Sequence, residues 1–299
     1  MLYYLCKIEM SDPKHVDIRK VLKTRTPGLY KYLPNFLVNY VIRKLHEDDI
    51  NFGINNHKHL FGHDFNKAGL DYVGAKVKWS GLQNIPKTGK VIVAANHPLG
   101  GMDGMSLIHA VSQVRHDTVF FVNDFLKNLK NYGELFVGVN KIGNTANSAL
   151  KVVVDEYSTE KAILVFPAGL VSRRQKGKIK DLEWKKSFVS KAVQYGSPIV
   201  PTFIHGQNSN FFYNFAMWRK RLGIKANIEM FFLPDEMFSA TNKDIHIQFG
   251  PPIEASVFDE SLSHRQWAQV VKEYIYWAGF LEGKTFTEYL KDHKPAPKH

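Results

Sequence analysis

The order of apolar and polar positions divides the chain into a helical first part and a longer region of alternating strands and helices. Over residues 12–80 the apolar positions recur mostly at helical spacing. From about residue 75 short apolar runs follow one another, separated by turn residues and by helical segments. The pattern predicts strands at 75–79, 91–95, 118–122, 162–166, 198–204 and 244–250, and helices at 105–114, 148–159, 184–195 and 263–282.

This alternation indicates an α/β fold, because strands interleaved with helices form a sheet that the helices cover. We expect an N-terminal helical segment over residues 1–74 and an α/β domain over 75–290. The polar residues 291–299 are expected to form a flexible tail.

The most informative polar residues directly follow the apolar run 91–95. From Asn96 the sequence reads Asn-His-Pro-Leu-Gly-Gly-Met-Asp, which places His97 and Asp103 at the end of a predicted strand. Loops at strand ends often build active sites in α/β proteins. Asp103 is a candidate to orient the imidazole of His97, which would then take a proton from an attacking hydroxyl. The alternative is that both residues only stabilise a tight turn.

A second strand-and-turn segment ends in Pro167 and Gly169 and is followed by Arg173 and Arg174. Arginine offers a planar, permanently charged pair of donors to a phosphate or a carboxylate. The alternative is a solvated basic loop that continues to Lys180. We favour binding, because the arginines directly follow a strand and a tight turn.

The segment 34–45 is the richest apolar stretch of the predicted N-terminal helices. Basic residues flank its apolar side, which suits a helix that lies on an anionic lipid surface. An ordinary helix packed on the core explains the same pattern. The residues at helical spacing are Phe36, Leu37, Tyr40, Val41, Lys44 and Leu45, and the flanking cations are Lys31, Arg43 and Lys44.

Charge and composition restrict the partners and the chemistry. The chain has 299 residues, with 40 Lys+Arg against 28 Asp+Glu and a formal net charge of +12. This charge favours nucleic acid, an anionic membrane or an acidic carrier protein. The single cysteine excludes an internal disulfide, and no apolar run reaches the roughly 18 residues that cross a bilayer. The histidines between His57 and His63 lack the spacing of a zinc site, and we expect no metal and no cofactor.

The segment from Asn96 to Asp103 resembles the signature of glycerolipid acyltransferases of the lysophosphatidic-acid acyltransferase type. That family usually has four residues between His and Asp, whereas this chain has five, as in a hemolysin-like bacterial subgroup with the motif Asn-His-Pro-Leu-Gly-Gly-x-Asp. Residues 165–174 are similar to the phosphate-binding block of the family, with Ala168 at its usual Glu position. Residues 136–141 and 197–206 resemble two further blocks, so the blocks follow in the family's order.

The resemblance implies a mixed sheet flanked by helices, with amphipathic helices at the N-terminus. It implies an enzyme that moves a fatty acyl group from acyl carrier protein or coenzyme A to the hydroxyl of a lysolipid. The acceptor would be lysophosphatidic acid or, as in the subgroup, a lyso-aminolipid of the ornithine- or glycine-lipid kind. His97 and Asp103 would be catalytic. The substrate-binding residues would be Asn96, Gly100, Gly101, Asn140, Lys141, Pro167, Gly169, Arg173 and Arg174.

The same resemblance implies a peripheral protein at the cytoplasmic face of the bacterial inner membrane, with an anionic membrane surface as partner and no nucleic acid. The rival hypothesis is a non-enzymatic basic protein that binds membranes or nucleic acid. It explains the charge, but it does not explain why His, Asp, Pro-Gly and Arg follow successive predicted strands in the family's order.

Overall fold

A seven-stranded mixed sheet forms the centre of the protein. The computed structural model describes residues 14–25, 27–122, 124–127, 129–138, 153–224, 227–239 and 244–293. The strands are β1 (Lys76–Ser80), β2 (Val91–Ala95), β3 (Thr118–Val122), β4 (Phe136–Gly138), β5 (Ala162–Val165), β6 (Arg173–Gln175), β7 (Lys178–Lys180), β8 (Ile199–Ile204) and β9 (Asp244–Phe249).

The strand order in the sheet is β1-β9-β8-β2-β5-β3-β4, and β6 with β7 forms a separate antiparallel hairpin. All neighbours in the large sheet pair in parallel except β8 and β9. The parallel pairing of β2 with β5 and β8 brings the carboxyl ends of three strands to one edge of the sheet. Ligands commonly bind at such an edge in α/β proteins.

Helices cover both faces of the sheet. They are α1 (Ile18–Arg25), α2 (Pro27–Tyr30), α3 (Asn35–Lys44), α4 (Glu47–Asn56), α5 (Gly62–Tyr72), α6 (Gly101–Val111), α7 (Asp124–Lys127), α8 (Ser187–Tyr195), α9 (Asn210–Arg221), α10 (Leu233–Ser239), α11 (His264–Ile275), α12 (Ala278–Leu281) and α13 (Phe286–Asp292). Residues 153–158 are also helical. Short 3₁₀ helices lie at Leu82–Asn84, Lys130–Leu135, Ile228–Phe232 and Ala255–Val257. None of the helices in the described ranges combines the length and apolar content that crossing a bilayer requires.

Every residue of β2 is buried, because both faces of this central strand are covered. Val93 points into a core that includes Leu107 of α6. Ile92 points to the opposite face, into a core shared with Val189 of α8 and Val271 of α11. This alternation is the two-residue period of a strand, and it explains why β2 has an unbroken apolar sequence.

The predicted α/β class, a mixed sheet flanked by helices, is confirmed, and each of the predicted strands is present to within two residues. The helix predicted at 105–114 begins earlier, at Gly101, because the side chain of Asp103 accepts hydrogen bonds at its N-terminus. The single helix predicted at 263–282 is two helices, α11 and α12, separated at Trp277. Of the helix predicted at 148–159, residues 148–152 lie outside the described ranges.

Candidate active site

His97, in the loop that follows β2, contacts Asp103, in the first turn of α6. His97 Nδ1 lies 2.9 Å from Asp103 Oδ2, and the backbone N–H groups of Leu99 and Gly100 donate to the same oxygen at 2.7 and 3.0 Å. Gly100 has a φ of 75°, in the left-handed region that favours glycine, and this conformation turns the chain into α6. Five residues between His and Asp therefore still permit direct contact of the two side chains.

The hydrogen bond to Asp103 sets the tautomer of His97. A carboxylate only accepts hydrogen bonds, so Nδ1 carries the proton and Nε2 is left with a lone pair. Asp103 is fully buried, and burial raises the pKa of its carboxyl, while the hydrogen bonds from His97 and Leu99 act in the opposite direction. Asp103 Oδ1 has no hydrogen-bond partner among the residues described. This arrangement allows His97 to act as a base whose protonated form is stabilised by Asp103.

Aromatic packing fixes the plane of the His97 ring. The ring stacks on Phe166, with centroids 4.1 Å apart and an interplanar angle of 11°. Phe120 packs edge-on against Phe166 at 5.4 Å. The side chain of His97 is 17% exposed, so the imidazole is reachable from solvent on a limited side.

Asp181 is a second buried carboxylate at the site, and the sequence patterns did not single it out. Its Oδ1 accepts hydrogen bonds from the backbone N–H of His97 at 3.1 Å and from Ser172 Oγ at 2.5 Å. Its Oδ2 accepts from Trp184 Nε1 at 2.8 Å. Ser172 N in turn donates to the carbonyl of His97 at 2.8 Å. The peptide groups on both sides of the histidine side chain are thus held by the segment that follows β5.

Asn96, a predicted substrate-binding residue, clamps the end of β2 to the end of β8. Its Nδ2 donates to the carbonyl of Ile204 at 2.9 Å, and its Oδ1 accepts from the N–H of Ile204 at 2.6 Å. The residue is 2% exposed. These contacts give Asn96 a structural function next to His97.

The turn at Pro167 and Gly169 follows β5, beside the end of β2. Gly169 has a φ of 66°, and its N–H donates to the carbonyl of Phe166 at 2.9 Å. Lys185, a basic residue not predicted at the site, adjoins this turn: its N–H donates to the carbonyl of Pro167 at 3.0 Å. A Cβ added at Gly169 would lie 2.8 Å from Lys185 Nζ. Glycine therefore leaves room for the ammonium group there.

The side chains of the two predicted arginines point in different directions, because successive residues of a strand point to opposite faces. Arg173 is directed into the protein, where Nη2 lies 2.7 Å from Oε1 of the fully buried Glu229. Arg219 Nε lies 2.6 Å from the other carboxylate oxygen, Oε2. The segment after Gly169 is thus a hairpin held by buried charges, and the alternative of a solvated loop is wrong for Arg173, which is 11% exposed.

Arg174 points instead toward α9. Its guanidinium donates to Asn214 Oδ1 at 2.8 Å and to Asn210 Oδ1 at 2.6 Å, and it lies over the ring of Tyr213. Both contacts lie at the protein surface, so Arg174 is the arginine of this pair that a ligand can reach. The neutral amide partners leave its positive charge uncompensated.

The remaining predicted residues have different outcomes. Gly101 begins α6 and borders open space, since a Cβ added there would meet no atom within 4 Å. Asn140 and Lys141 lie outside the described residues. Ala168 is buried against the core that contains Trp184. Across the described ranges, no group of three or more His, Cys, Asp or Glu side chains is arranged to hold a metal ion.

Comparison with known proteins gives the family. A family model described as Acyltransferase matches residues 20–282. The chain is 42% identical over 262 residues to the lyso-glycine lipid O-acyltransferase of Bacteroides thetaiotaomicron, covering 87% of this chain and 96% of the relative. It is 41% identical over 273 residues to the protein of the same name from Phocaeicola vulgatus, covering 91% of this chain and 98% of the relative.

Among solved structures, the 1-acyl-sn-glycerophosphate acyltransferase of Thermotoga maritima aligns with a TM-score of 0.46 and 18% identity, covering 89% of this chain and 96% of that chain. The prediction of an O-acyltransferase is confirmed by the family match and by the two relatives. Because the match spans most of the sequence, this chain belongs to the acyltransferase family.

Proposed function

We propose that this acyltransferase moves a fatty acyl group from a thioester donor, acyl carrier protein or coenzyme A, to the hydroxyl of a lysolipid in membrane lipid synthesis. The observation that carries the chemistry is the hydrogen bond from His97 Nδ1 to Asp103, which leaves Nε2 free to accept a proton. A lyso-aminolipid of the glycine-lipid kind is the acceptor class best supported. Two relatives at about the same identity carry that name, and lysophosphatidic acid is the alternative acceptor.

In the proposed reaction His97 Nε2 removes the proton of the acceptor hydroxyl as its oxygen attacks the thioester carbonyl. The tetrahedral intermediate then collapses, an oxygen ester forms and the carbon–sulfur bond breaks. The imidazolium returns the proton to the leaving thiolate, so that His97 is neutral again. Asp103 stabilises the imidazolium and keeps Nδ1 protonated. Proton transfer by a positioned acid–base group such as His97 is worth roughly 10²–10⁴-fold in rate.

The negative charge on the attacked carbonyl oxygen needs N–H donors. The N–H groups of Gly100 and Gly169 already donate to Asp103 and to the carbonyl of Phe166. Gly101 is the better candidate, because N–H groups in the first turn of a helix have no carbonyl partner within the helix. It lies at the N-terminus of α6, where the helix dipole also favours negative charge.

For the anionic head of the acceptor, Arg174 is the leading candidate, since it is accessible and has only neutral partners. Arg173 serves this end indirectly, by holding the hairpin through Glu229. Pro167 and Gly169 shape the turn that separates these arginines from His97. Asn140 and Lys141 remain proposed binding residues on the evidence of the sequence alone.

Ala168 bears on the choice of acceptor. The family usually has a glutamate there, whereas this alanine is 6% exposed and packs in the core beside Trp184. A carboxylate at this position would have to leave that core or remain buried at a substantial cost. This turn therefore lacks the carboxylate that the family usually has, which supports an acceptor other than lysophosphatidic acid.

We further propose that residues 1–74 dock on anionic lipid at the cytoplasmic face of the bacterial inner membrane, and that residues 75–290 form the catalytic domain. On α3, Phe36 is 74% exposed and Tyr40 is 43% exposed, whereas Val38 is buried. Arg43 and Lys44 lie in the last turn of the same helix. Exposed aromatic residues beside cations are typical of helices that lie in a membrane interface.

The test is an acyl-transfer assay with the purified protein and lipid products identified by mass spectrometry. Acyl carrier protein and coenzyme A thioesters are each paired with lyso-glycine lipid, lyso-ornithine lipid and lysophosphatidic acid. We expect an ester product with an aminolipid acceptor, and none with the His97→Ala variant. Exclusive use of lysophosphatidic acid would contradict the proposed acceptor, and product formation by His97→Ala would contradict the proposed base.

A further inference from the structure

Helix α9 exposes an apolar stripe to solvent. Phe211, Phe215 and Trp218 of α9 and Leu222 at its C-terminal cap are spaced by four, three and four residues, which places them on one side of the helix. Phe211 is 55% exposed, Trp218 is 65% exposed and Leu222 is 62% exposed. The opposite side of α9 is buried through Phe212, Tyr213 and Ala216. The helix is therefore apolar on both sides, although only one of them faces the protein.

The stripe continues onto the 3₁₀ helix Ile228–Phe232. The Phe232 ring lies 5.1 Å from Phe211 and 5.3 Å from Phe215, with near-perpendicular planes. The neighbouring Phe231 is 47% exposed. We call the residues Phe211, Phe215, Trp218, Leu222, Phe231 and Phe232 the α9 apolar face. Contiguous exposed apolar surface of this kind marks a site of contact with another apolar body.

Positive charge adjoins the α9 apolar face. Lys220 and Arg221 are exposed in the last turn of α9. The nearby carboxylates are engaged within the protein: Glu229 contacts Arg173 and Arg219, Asp235 contacts Lys44 and His46, and Glu236 accepts from Ser209. Aromatic and aliphatic groups beside uncompensated cations complement the surface of an anionic bilayer, where lipid tails and headgroup charge lie close together.

The α9 apolar face is also tied to the proposed docking helix α3. α3 packs against the 3₁₀ helix Ile228–Phe232. Lys44 Nζ, at the end of α3, lies 2.8 Å from Asp235 of α10, and His46 Nε2 lies 3.0 Å from the same carboxylate. Two exposed apolar helices are thus joined through one packed segment.

Residues at the start of α9 and of α10 contact the loop that carries His97. Asn208, just before α9, donates from Nδ2 to the carbonyl of Pro98 at 3.1 Å. The side chain of Leu233 would lie 3.0 Å from a Cβ added at Gly100, so it closely covers that glycine. Arg174 binds two asparagines of α9, Asn210 and Asn214. Helix α9 therefore exposes its apolar stripe on one side and lies close to the loop that carries His97 on another.

From these contacts we infer that the α9 apolar face is a second membrane-docking surface, which inserts into an anionic bilayer beside the active site. Docking itself requires only the exposed stripe and its cations. A further consequence rests on the proposed function: a lysolipid that lies in the bilayer reaches His97 along α9 without crossing bulk water.

The first test measures binding of the full chain to vesicles. Vesicles of phosphatidylglycerol and phosphatidylcholine are compared with pure phosphatidylcholine in a flotation assay. We expect the double variant Trp218→Ser, Leu222→Ser to lower the partition coefficient on anionic vesicles at least tenfold. The matched control is Leu281→Ser on α12, which removes another exposed leucine (45% exposed) and is expected to change it less than twofold. Unchanged binding by the double variant overturns the inference.

Fluorescence gives a second readout, which reports where one side chain lies in the bound protein. Trp218 is the most exposed of the tryptophans and is expected to be quenched by brominated lipid chains on docking. Trp218→Phe keeps an apolar side chain and should abolish that quenching while binding persists. Quenching that is unaffected by this replacement would place Trp218 outside the bilayer and overturn the inference.

Two other occupants of the face are separated by the same variants. If the double variant changes the molecular mass in light scattering and leaves vesicle binding intact, the face joins two copies of the chain. If it instead weakens binding to acyl carrier protein, the face serves the donor.

Activity on a monomeric short-chain lyso-glycine lipid should be retained by the double variant and lost only on vesicles. Vesicle binding by a wild-type protein that acylates none of the acceptors would refute the proposed function and leave the docking surface in place.

Discussion

The backbone N–H of His97 donates a hydrogen bond of 3.1 Å to the carboxylate of Asp181, although 84 positions separate the two residues. Asp103 binds the imidazole of the same histidine, and Asp181 binds its backbone. The second carboxylate also fixes Ser172 and Trp184, and its own N–H donates to the hydroxyl of Tyr276 at 2.9 Å. We therefore interpret Asp181 as a residue that positions the proposed base without touching the substrate.

Replacing Asp181 by Asn is expected to slow turnover more than it weakens substrate binding. The amide NH₂ would face either the backbone N–H of His97 or Trp184 Nε1, both of which can only donate, so one buried contact would be lost. We expect kcat to fall about tenfold or more and KM for both substrates to stay within about twofold. The free energy of unfolding should fall by about 1–3 kcal/mol, the typical effect of an unsatisfied buried group.

Glu183→Gln is the matched control for Asp181→Asn. Glu183 lies two positions away, but its side chain is 53% exposed and contacts Arg265 at the surface. Exposed ion pairs contribute little, so stability and kcat should both remain near wild type. A normal kcat for Asp181→Asn would contradict the positioning role.

His97→Ala is expected to abolish measurable steady-state transfer, and Asp103→Asn is expected to lower its rate strongly. His97→Ala removes the acceptor of the hydroxyl proton, and Asp103→Asn presents an NH₂ or a weaker acceptor to Nδ1. A single-turnover assay detects slower chemistry, and there we expect the rate constant of acyl transfer to fall roughly 10²–10⁴-fold for each variant. His59→Ala, at an exposed turn, is the control and should keep full activity. Turnover near the wild-type rate in His97→Ala would refute the mechanism.

The sequence predicted those parts of the molecule that depend on local pattern. The strands were predictable because β2 and its neighbours are short, buried runs of apolar residues. The His97–Asp103 pair was predictable because the two residues are only six positions apart in the sequence. Asp181 was not predictable, since its partners His97 and Tyr276 are 84 and 95 positions away. Arg173 is similar: its partner Glu229 is 56 positions further along. Helix α9 was missed because its exposed side is apolar too, so no polar face marks its helical period.

Acidification is expected to destabilise the fold through His205. Burial, together with nearby His246, lowers the pKa of His205 below its usual 6.5, and His205 Nε2 has no hydrogen-bond partner among the described residues. The unfolded chain therefore binds a proton at a higher pH than the folded chain does. The contribution of His205 to the free energy of unfolding is therefore fully present above the pKa that this histidine has in the unfolded chain. It decreases as the pH falls below that pKa, by at most about 1.4 kcal/mol per pH unit for one proton.

Denaturant unfolding between pH 7.5 and 5.5 tests this linkage. His205→Gln should show a smaller decrease in unfolding free energy over that range than wild type. His109, whose pKa burial also lowers, is present in both proteins and contributes equally to both. Identical pH slopes for the two proteins would exclude His205 as a source of the effect.

Helix α3 offers a prediction about the first docking segment. Phe36→Glu with Leu37→Glu places two negative charges on its exposed face, where Phe36 is 74% exposed and Leu37 is 38% exposed. We expect at least tenfold weaker binding to anionic vesicles, and release of the wild-type protein at high salt. Co-sedimentation with liposomes measures both effects. Binding that needs no anionic lipid and survives the substitutions would show that α3 serves only in packing.

Replacing Arg174 is expected to weaken acceptor binding, whereas replacing Arg173 is expected to destabilise the fold. Arg174→Ala removes an accessible cation and should raise KM for the lipid acceptor about ten- to hundredfold, because a charge-assisted hydrogen bond is worth roughly 1.5–3 kcal/mol. Arg174→Lys should restore only part of this, since lysine lacks the planar pair of donors. Arg173→Ala instead removes one of two cations from the buried carboxylate of Glu229, which should lower stability by about 3–5 kcal/mol.

A double variant separates the two roles. Glu229→Gln removes the buried charge, so Arg173→Ala should cost less stability in that background than in wild type. Steady-state kinetics with donor and acceptor varied separately assign the binding role. If Arg173→Ala folds normally and raises the acceptor KM, then Arg173 rather than Arg174 holds the head group. If Arg174→Ala raises the donor KM instead, the hairpin binds the carrier protein or coenzyme A, and the acceptor must enter from the other side of His97.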